Sequence, residues 1–221
     1  MKDKPYAWAQ AAVDVDDIVL GIQIAEMALE EGAEWIEVGT PLIYKYGHSA
    51  IGMMRKALGD KAILVADYKF LIPWDCMREA EKQGADYAIF EAGYHIDIME
   101  RTMREAEQLR INPIFCLSVH PKEFTFYADL YAEMGVRYFF THHFYTVLDS
   151  ETHTPVKYNN AISFSMCKRP IQFCITNDDF DQVPDSIRSG ADWITFGKAI
   201  HSLDRSTCRK WVKMIHSTRR T

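Results

Sequence analysis

Apolar residues recur along the chain with two periods, and the alternation between them lays out a fold. Four segments share one pattern: Gly32-Ala-Glu-Trp-Ile-Glu-Val-Gly39, Gly84-Ala-Asp-Tyr-Ala-Ile-Phe90, Gly135-Val-Arg-Tyr-Phe-Phe140 and Gly190-Ala-Asp-Trp-Ile-Thr-Phe-Gly197. Each reads as a glycine that ends a helix, followed by a short buried strand. The glycine suits the left-handed position just past a helix, and the aromatic and β-branched run suits a parallel strand covered on both faces. Four further apolar runs, Trp8 to Val13, Ala62 to Ala66, Pro113 to Leu117 and Pro170 to Ile175, interleave with the first set. Both sets recur roughly every 50 residues, the length of two βα units, so the chain reads as four such pairs.

Helical spacing of apolar residues at Ile18 to Glu31, Asp75 to Gln83 and Asp97 to Leu109 supplies an outer layer. A chain that alternates in this way either closes into a barrel or opens into a doubly wound sheet. The even pairing, with no Gly-rich dinucleotide fingerprint, predicts a single (β/α)8 barrel domain over residues 1–221. Phe144 to Arg169, with turn residues around Asp149 to Thr154, is the least regular stretch and reads as a long loop of the kind that covers a barrel site.

Composition narrows the partners. At 221 residues, 48% hydrophobic and 25% charged, the chain has the balance of an ordinary globular protein. A net charge of -6 gives no general attraction for nucleic acid or an anionic membrane, so a small solute is the expected partner. The five cysteines (Cys76, Cys116, Cys167, Cys174, Cys208) show no CxxC spacing and read as reduced thiols. Met1 to Trp8 lacks the apolar core of a signal peptide and no later stretch approaches a membrane span, so a cytoplasmic location is expected.

Barrels of this kind do their chemistry where strands run into βα loops. Asp14 ends the first strand, Glu37 lies within the second, Asp67 and Lys69 end the third, Ser118 follows the fifth, and His142 and His143 end the sixth. Glu37 and Asp67, on adjacent strands, suit a hard divalent cation such as magnesium, with Lys69 beside it to stabilise an enediolate oxygen. His142 suits proton transfer near neutral pH, with His143 on the opposite side of its strand. Gly197 and Lys198 stand where barrels commonly bind phosphate. Structural alternatives stand beside each: a buried ion pair for Glu37, a turn cap for Asp67, a solvated Lys69, a packed core histidine, and a plain tight turn at Gly197.

The segments Gln10-Ala-Ala-Val-Asp14, Trp35-Ile-Glu-Val-Gly-Thr-Pro-Leu-Ile43, Val65-Ala-Asp-Tyr-Lys69, Gly84-Ala-Asp86 and Gly190 to Ile200 resemble the orotidine 5′-monophosphate decarboxylase superfamily. The resemblance runs nearly end to end and is specific for the branch of 3-keto-L-gulonate 6-phosphate decarboxylase and 3-hexulose-6-phosphate synthase. It implies a magnesium-dependent carbon–carbon lyase, either a decarboxylase or a formaldehyde-releasing aldolase, acting on a sugar phosphate. Glu37 and Asp67 would be metal ligands, Lys69 the enediolate-stabilising cation, Asp14 a substrate-hydroxyl contact, His142 a proton-handling residue, and Gly197 and Lys198 part of a phosphate site. A homodimer with sites at the subunit interface is implied as well. An isomerase or epimerase using the same enediolate, and a non-catalytic binding or assembly barrel, are the alternatives.

Departures accompany the resemblance. Ile72 stands where the pattern Asp-x-Lys-x-x-Asp has its last aspartate, and Asp75 is expected to cap the next helix. The glycine pair expected near the end of the seventh barrel strand is replaced around Phe173 and Cys174, and Ser118 stands where relatives carry an acid. Asn177 or Arg169 would have to supply new contacts.

Overall fold

The computed structural model describes residues 5–69, 72–92, 95–118, 123–142, 144–148, 152, 155–159, 167–168 and 170–219. Its strands are β1 (Trp8–Val13), β2 (Trp35–Val38), β3 (Ile63–Lys69), β4 (Tyr87–Glu91), β5 (Asn112–Cys116), β6 (Tyr138–His142), β7 (Phe144–Leu148), β8 (Pro155–Asn159), β9 (Gln172–Thr176) and β10 (Trp193–Phe196). All but β7 and β8 close into a parallel eight-stranded barrel of order β1-β10-β9-β6-β5-β4-β3-β2. The helices are α1 (Ile18–Glu30), α2 (Thr40–Tyr46), α3 (Ser49–Leu58), α4 (Pro73–Lys82), α5 (Ile96–Ala106), α6 (Phe124–Glu133), α7 (Val183–Arg188) and α8 (Arg205–Ser217). The predicted single (β/α)8 barrel is the fold observed.

The four-fold sequence repeat has three physical causes. Gly32, Gly84, Gly135 and Gly190 all take positive φ, at 102°, 90°, 103° and 99°, just past a helix, where a side chain would be strained. Two residues on, an acid pins the neighbouring strand: Glu34 accepts from the N–H of Ala9, Asp86 from Leu64 and Asp192 from Phe173, at 3.0, 2.7 and 3.0 Å. The third repeat carries Arg137 there, which donates to the carbonyls of Ala132 and Val136 instead. Three residues on, an aromatic ring points into the barrel. Trp35, Tyr87, Tyr138 and Trp193 close a ring of contacts with centroids 4.6, 5.2, 6.5 and 5.1 Å apart around the circuit. Alternate strands thus supply one four-membered layer, and Val65, Ile114, Cys174, Ile89 and Phe140 fill the barrel above it.

Two expectations are corrected. The stretch from Phe144 is not irregular throughout: Phe144-Tyr-Thr-Val-Leu148, rich in β-formers, pairs antiparallel with Pro155–Asn159. Asp75 is not a cap. Pro73 takes the first helical position, Ile72 precedes it as N-cap, and Asp75 sits inside the first turn with Oδ1 3.4 Å from Arg78. All five cysteines are unpaired, as expected. Among the described residues no helix is long and apolar enough to cross a membrane.

Candidate active site

Strand alternation sends the side chains of Gln10, Glu37, Asp67, Glu91, His142 and Thr176 toward the barrel axis near its C-terminal end. Asp14, Glu37 and Asp67 converge there, with one carboxylate oxygen of each within 4.8 Å of the others. Glu37 and Asp67 are buried, and Asp14 opens to solvent. The Nε2 of Gln10 donates to Glu37 at 2.5 Å. Oδ2 of Asp67 accepts from Thr40 Oγ1 at 2.7 Å and lies 2.9 Å from Lys69 Nζ. Oδ1 of Asp67 is buried without a hydrogen-bond partner.

Lys69 reaches this position through a backbone irregularity. The β3–β4 register shifts between Asp67 and Lys69, and Lys69 takes a left-handed conformation with φ 52°. Asp67 and Lys69 both face the mouth, while the intervening Tyr68 packs outward on Phe90 and its hydroxyl meets His48 Nδ1 at 2.7 Å. A non-glycine residue at positive φ stores strain, and such strain clusters at functional sites.

Electrostatics follow from the crowding. Burial, then repulsion from Asp67 and Asp14, pushes the Glu37 carboxyl well above the usual carboxylate range. Asp14 is raised likewise, by the protein packed round it and by Asp67. Burial opposes the charge on Lys69, but Asp67 and Glu37 more than offset it, so its ammonium is held above the ordinary lysine value. The His142 imidazole is pushed down by burial and by Lys69. Burial raises the thiols of Cys116 and Cys174, so neither is an activated nucleophile.

The expected residues do not all serve as anticipated. Asp14, Glu37, Asp67, Lys69 and His142 share the mouth. Gly197 lies against β1: a Cβ there would meet Ala12 Cβ and Ala12 O, both at 3.1 Å, and stand 3.6 Å from Asp14 Oδ2. Lys198 is exposed in the 3-10 turn Lys198–Ile200. Phe173 and Cys174 are interior to β9 and do not border the mouth; the segment that does is Thr176 to Asp179, because β9 runs to Thr176, one residue past the predicted end at Ile175. Asn177 is buried and turned away, its Oδ1 accepting from Ser186 on α7 at 3.1 Å. His143 and Arg169 lie outside the described residues.

Sequence reasoning passed over Glu91, Thr40 and Thr176. Glu91 ends β4 and accepts from Ser118 Oγ at 2.9 Å, so the mouth keeps a carboxylate on the strand beside Ser118. The repeat itself marks it: seven residues past each repeat glycine stand Gly39, Glu91, His142 and Gly197. The two glycines flank β1 and Asp14, while Glu91 and His142 flank β5 on the opposite wall. At Gly39 a Cβ would collide with Asp14 Oδ1 and lie 2.5 Å from Val13 O, so only glycine lets β2 pass the Asp14 carboxylate.

No protein-family model matches the chain, and no curated protein matches it significantly. Solved structures do match. A 3-hexulose-6-phosphate synthase from Salmonella typhimurium superposes with a TM-score of 0.80 at 19% identity, over 95% of this chain and 99% of that one. KGPDC from Streptococcus mutans in complex with D-R5P gives 0.77 at 16%, over 96% and 98%. Orotidine 5′-phosphate decarboxylase from Pyrococcus horikoshii OT3 gives 0.72 at 19%, over 95% and 99%. The chain therefore shares its fold, nearly end to end, with these three enzymes.

Proposed function

We propose that the protein is a magnesium-dependent carbon–carbon lyase that works through an enediolate on a ketose or keto-acid. The convergence of Asp14, Glu37 and Asp67 beside Lys69, with Asp67 Oδ1 buried and unpartnered, carries this reading. The donor set fits magnesium: three carboxylates, no sulfur or imidazole among them, and two raised carboxyls that a cation would relieve. Magnesium held there supplies positive charge where the substrate carbonyl gains electrons.

The chain's own residues do the rest. Cleaving the bond next to the carbonyl leaves its electron pair on the substrate, and the Lys69 ammonium, fixed beside Asp67, would stabilise the resulting oxygen charge. His142 is neutral at pH 7, as its lowered value requires, and is suited to taking a proton from the adjacent carbon and returning it. The strained Lys69 backbone favours this reading over a barrel that only binds. The name of one neighbour, 3-hexulose-6-phosphate synthase, supports a ketose skeleton.

A second copy of the chain belongs to the proposal. Large apolar side chains are exposed on consecutive elements, Tyr44 on α2, Met53 on α3, Ile72 before α4 and Ile96 on α5, and light scattering on a sizing column tests for the dimer. The deciding experiment for the chemistry is deuterium exchange at C1 of ribulose and of ribulose 5-phosphate in heavy water. Exchange that needs both magnesium and Lys69 is expected; exchange undiminished in Lys69→Ala refutes the assignment.

A further inference from the structure

The barrel order places β9 directly across the mouth from Asp67 and Lys69 on β3. In barrels the loops after the last two strands, with the free N–H groups of a short helical turn, form the usual phosphate cradle. Here that segment is Thr176-Asn177-Asp178-Asp179, leading into the 3-10 turn Phe180–Gln182. Asp179 fills the start of the turn from within: Oδ1 accepts from Asp181 N–H at 3.0 Å and Oδ2 from Gln182 Nε2 at 3.2 Å. Asp178 is an exposed carboxylate with no hydrogen bond or ion pair among the described residues, on the same loop end and near enough for its charge to act weakly on Asp14 and His142. Thr176 Oγ1, on the inner face of the same strand end, is buried without a partner.

We propose that the site takes an unphosphorylated polyhydroxylated ligand, whose hydroxyl groups pair with Asp178 and Thr176, and that Asp178 disfavours the phosphate ester. Magnesium, Lys69, Asp14, Glu37 and Asp67 would together be neutral, so that among the described residues Asp178 adds net negative charge at the β9 side of the mouth, as Glu91 does at β4. Hydroxyl donors satisfy such a carboxylate, whereas a phosphate dianion is repelled by it and finds the N–H at the turn already engaged. The inference rests on the enediolate reading for the near end of the ligand.

The full chain with magnesium is titrated with methyl phosphate while the amide resonances of Asn177 to Phe180 and Gly197 to Ala199 are followed. No saturation is expected below about 10 mM, and saturation below that concentration overturns the proposal. In parallel, kcat/KM for C1 exchange is compared between ribulose and ribulose 5-phosphate. The wild type should favour ribulose, and Asp178→Asn should move the ratio about tenfold toward the ester. A wild-type preference for the ester, or a ratio unmoved by Asp178→Asn, refutes the role of Asp178. Absence of exchange on both sugars counts against the enediolate reading alone, and the methyl phosphate titration still decides this one.

Discussion

Replacing Glu37 by Gln tests the acidic centre through stability, independently of any substrate. The side chain keeps its shape and its acceptor for Gln10 Nε2, but one of three carboxylates whose oxygens lie within 4.8 Å of each other disappears. Two unit charges about 5 Å apart at an effective dielectric of ~20 repel by about 3 kcal/mol, and Lys69 offsets part of that. The metal-free variant should therefore be more stable than the wild type by about 1–2 kcal/mol at about pH 8, which raises Tm by roughly 2–8 °C for a chain of this size. The pH dependence has a definite sign. Because the folded-state value of Glu37 is raised, the native protein holds a proton that the unfolded chain releases, so wild-type stability falls as pH climbs from the ordinary carboxylate range through the raised value. Asp14 adds a slope of the same sign that both proteins share. The gap between variant and wild type should thus open with rising pH and close toward about pH 4. Magnesium should reverse the order, since a ligand at 100-fold its Kd stabilises by about 2.7 kcal/mol and the variant loses most of that gain. Thermal melts followed by circular dichroism, with chelator and with magnesium, read both effects. A variant that melts below the wild type in chelator, or magnesium that lifts both proteins equally, would refute the triad as a cation site.

Three further outcomes follow from the same geometry. Gly39→Ala should abolish the magnesium-dependent rise in Tm and cost about 1–3 kcal/mol, because its Cβ is driven into Val13 O and the Asp14 carboxylate; a magnesium response equal to wild type refutes the role given to Gly39. Trp193→Ala, which opens the aromatic layer that also holds Trp35 and Tyr138, should cost about 3–5 kcal/mol in denaturant unfolding, and a loss below about 1 kcal/mol would show that the layer is not a packed core. The His142 imidazole should titrate below 6.5 by NMR, and Lys69→Met should move its midpoint upward by removing a neighbouring positive charge; an unmoved midpoint means that the two groups do not interact.

The barrel was legible in the sequence because its causes are local and repeated. A glycine at positive φ, an acid two residues on and an inward aromatic three residues on each leave a mark in the chain, and the four-fold recurrence places the strands. The acidic centre was legible in part. Asp67 and Lys69 stand two residues apart and would share a face of any strand, and the register shift between them preserves that. Residues whose roles depend on the neighbouring strand were not legible. Thr40 meets Asp67, and Gln10 meets Glu37, across 27 residues of chain, and nothing in either local pattern announces a partner. The length of β9 was misjudged for a related reason. Thr176 continues the strand because it pairs with His142 on β6 and with Thr195 on β10, and that pairing moves the site border from Cys174 to Thr176 and the acids beyond it.

The repeat also separates what stabilises the molecule from what makes it specific. At the N-terminal ends of the even strands the same residue types recur: glycine in all four repeats, an acid in three, and a large aromatic ring in all four. Selection for packing explains that sameness, since each element meets the same barrel floor. Five residues past the glycine the identity breaks, to Glu37, Ile89, Phe140 and Thr195, and seven past it breaks again, to Gly39, Glu91, His142 and Gly197. Packing alone would have kept these positions as alike as those below them. Their divergence instead distributes roles around the mouth: a buried acid and two glycines on the side of β1 that make room beside Asp14, and an acid and an imidazole on the side of β5. A ligand placed between those walls would have the three carboxylates and Lys69 at one flank and Thr176 and Asp178 at the other. The four-fold scaffold therefore carries an asymmetric site, and the asymmetry falls at strand ends where substitution costs little stability.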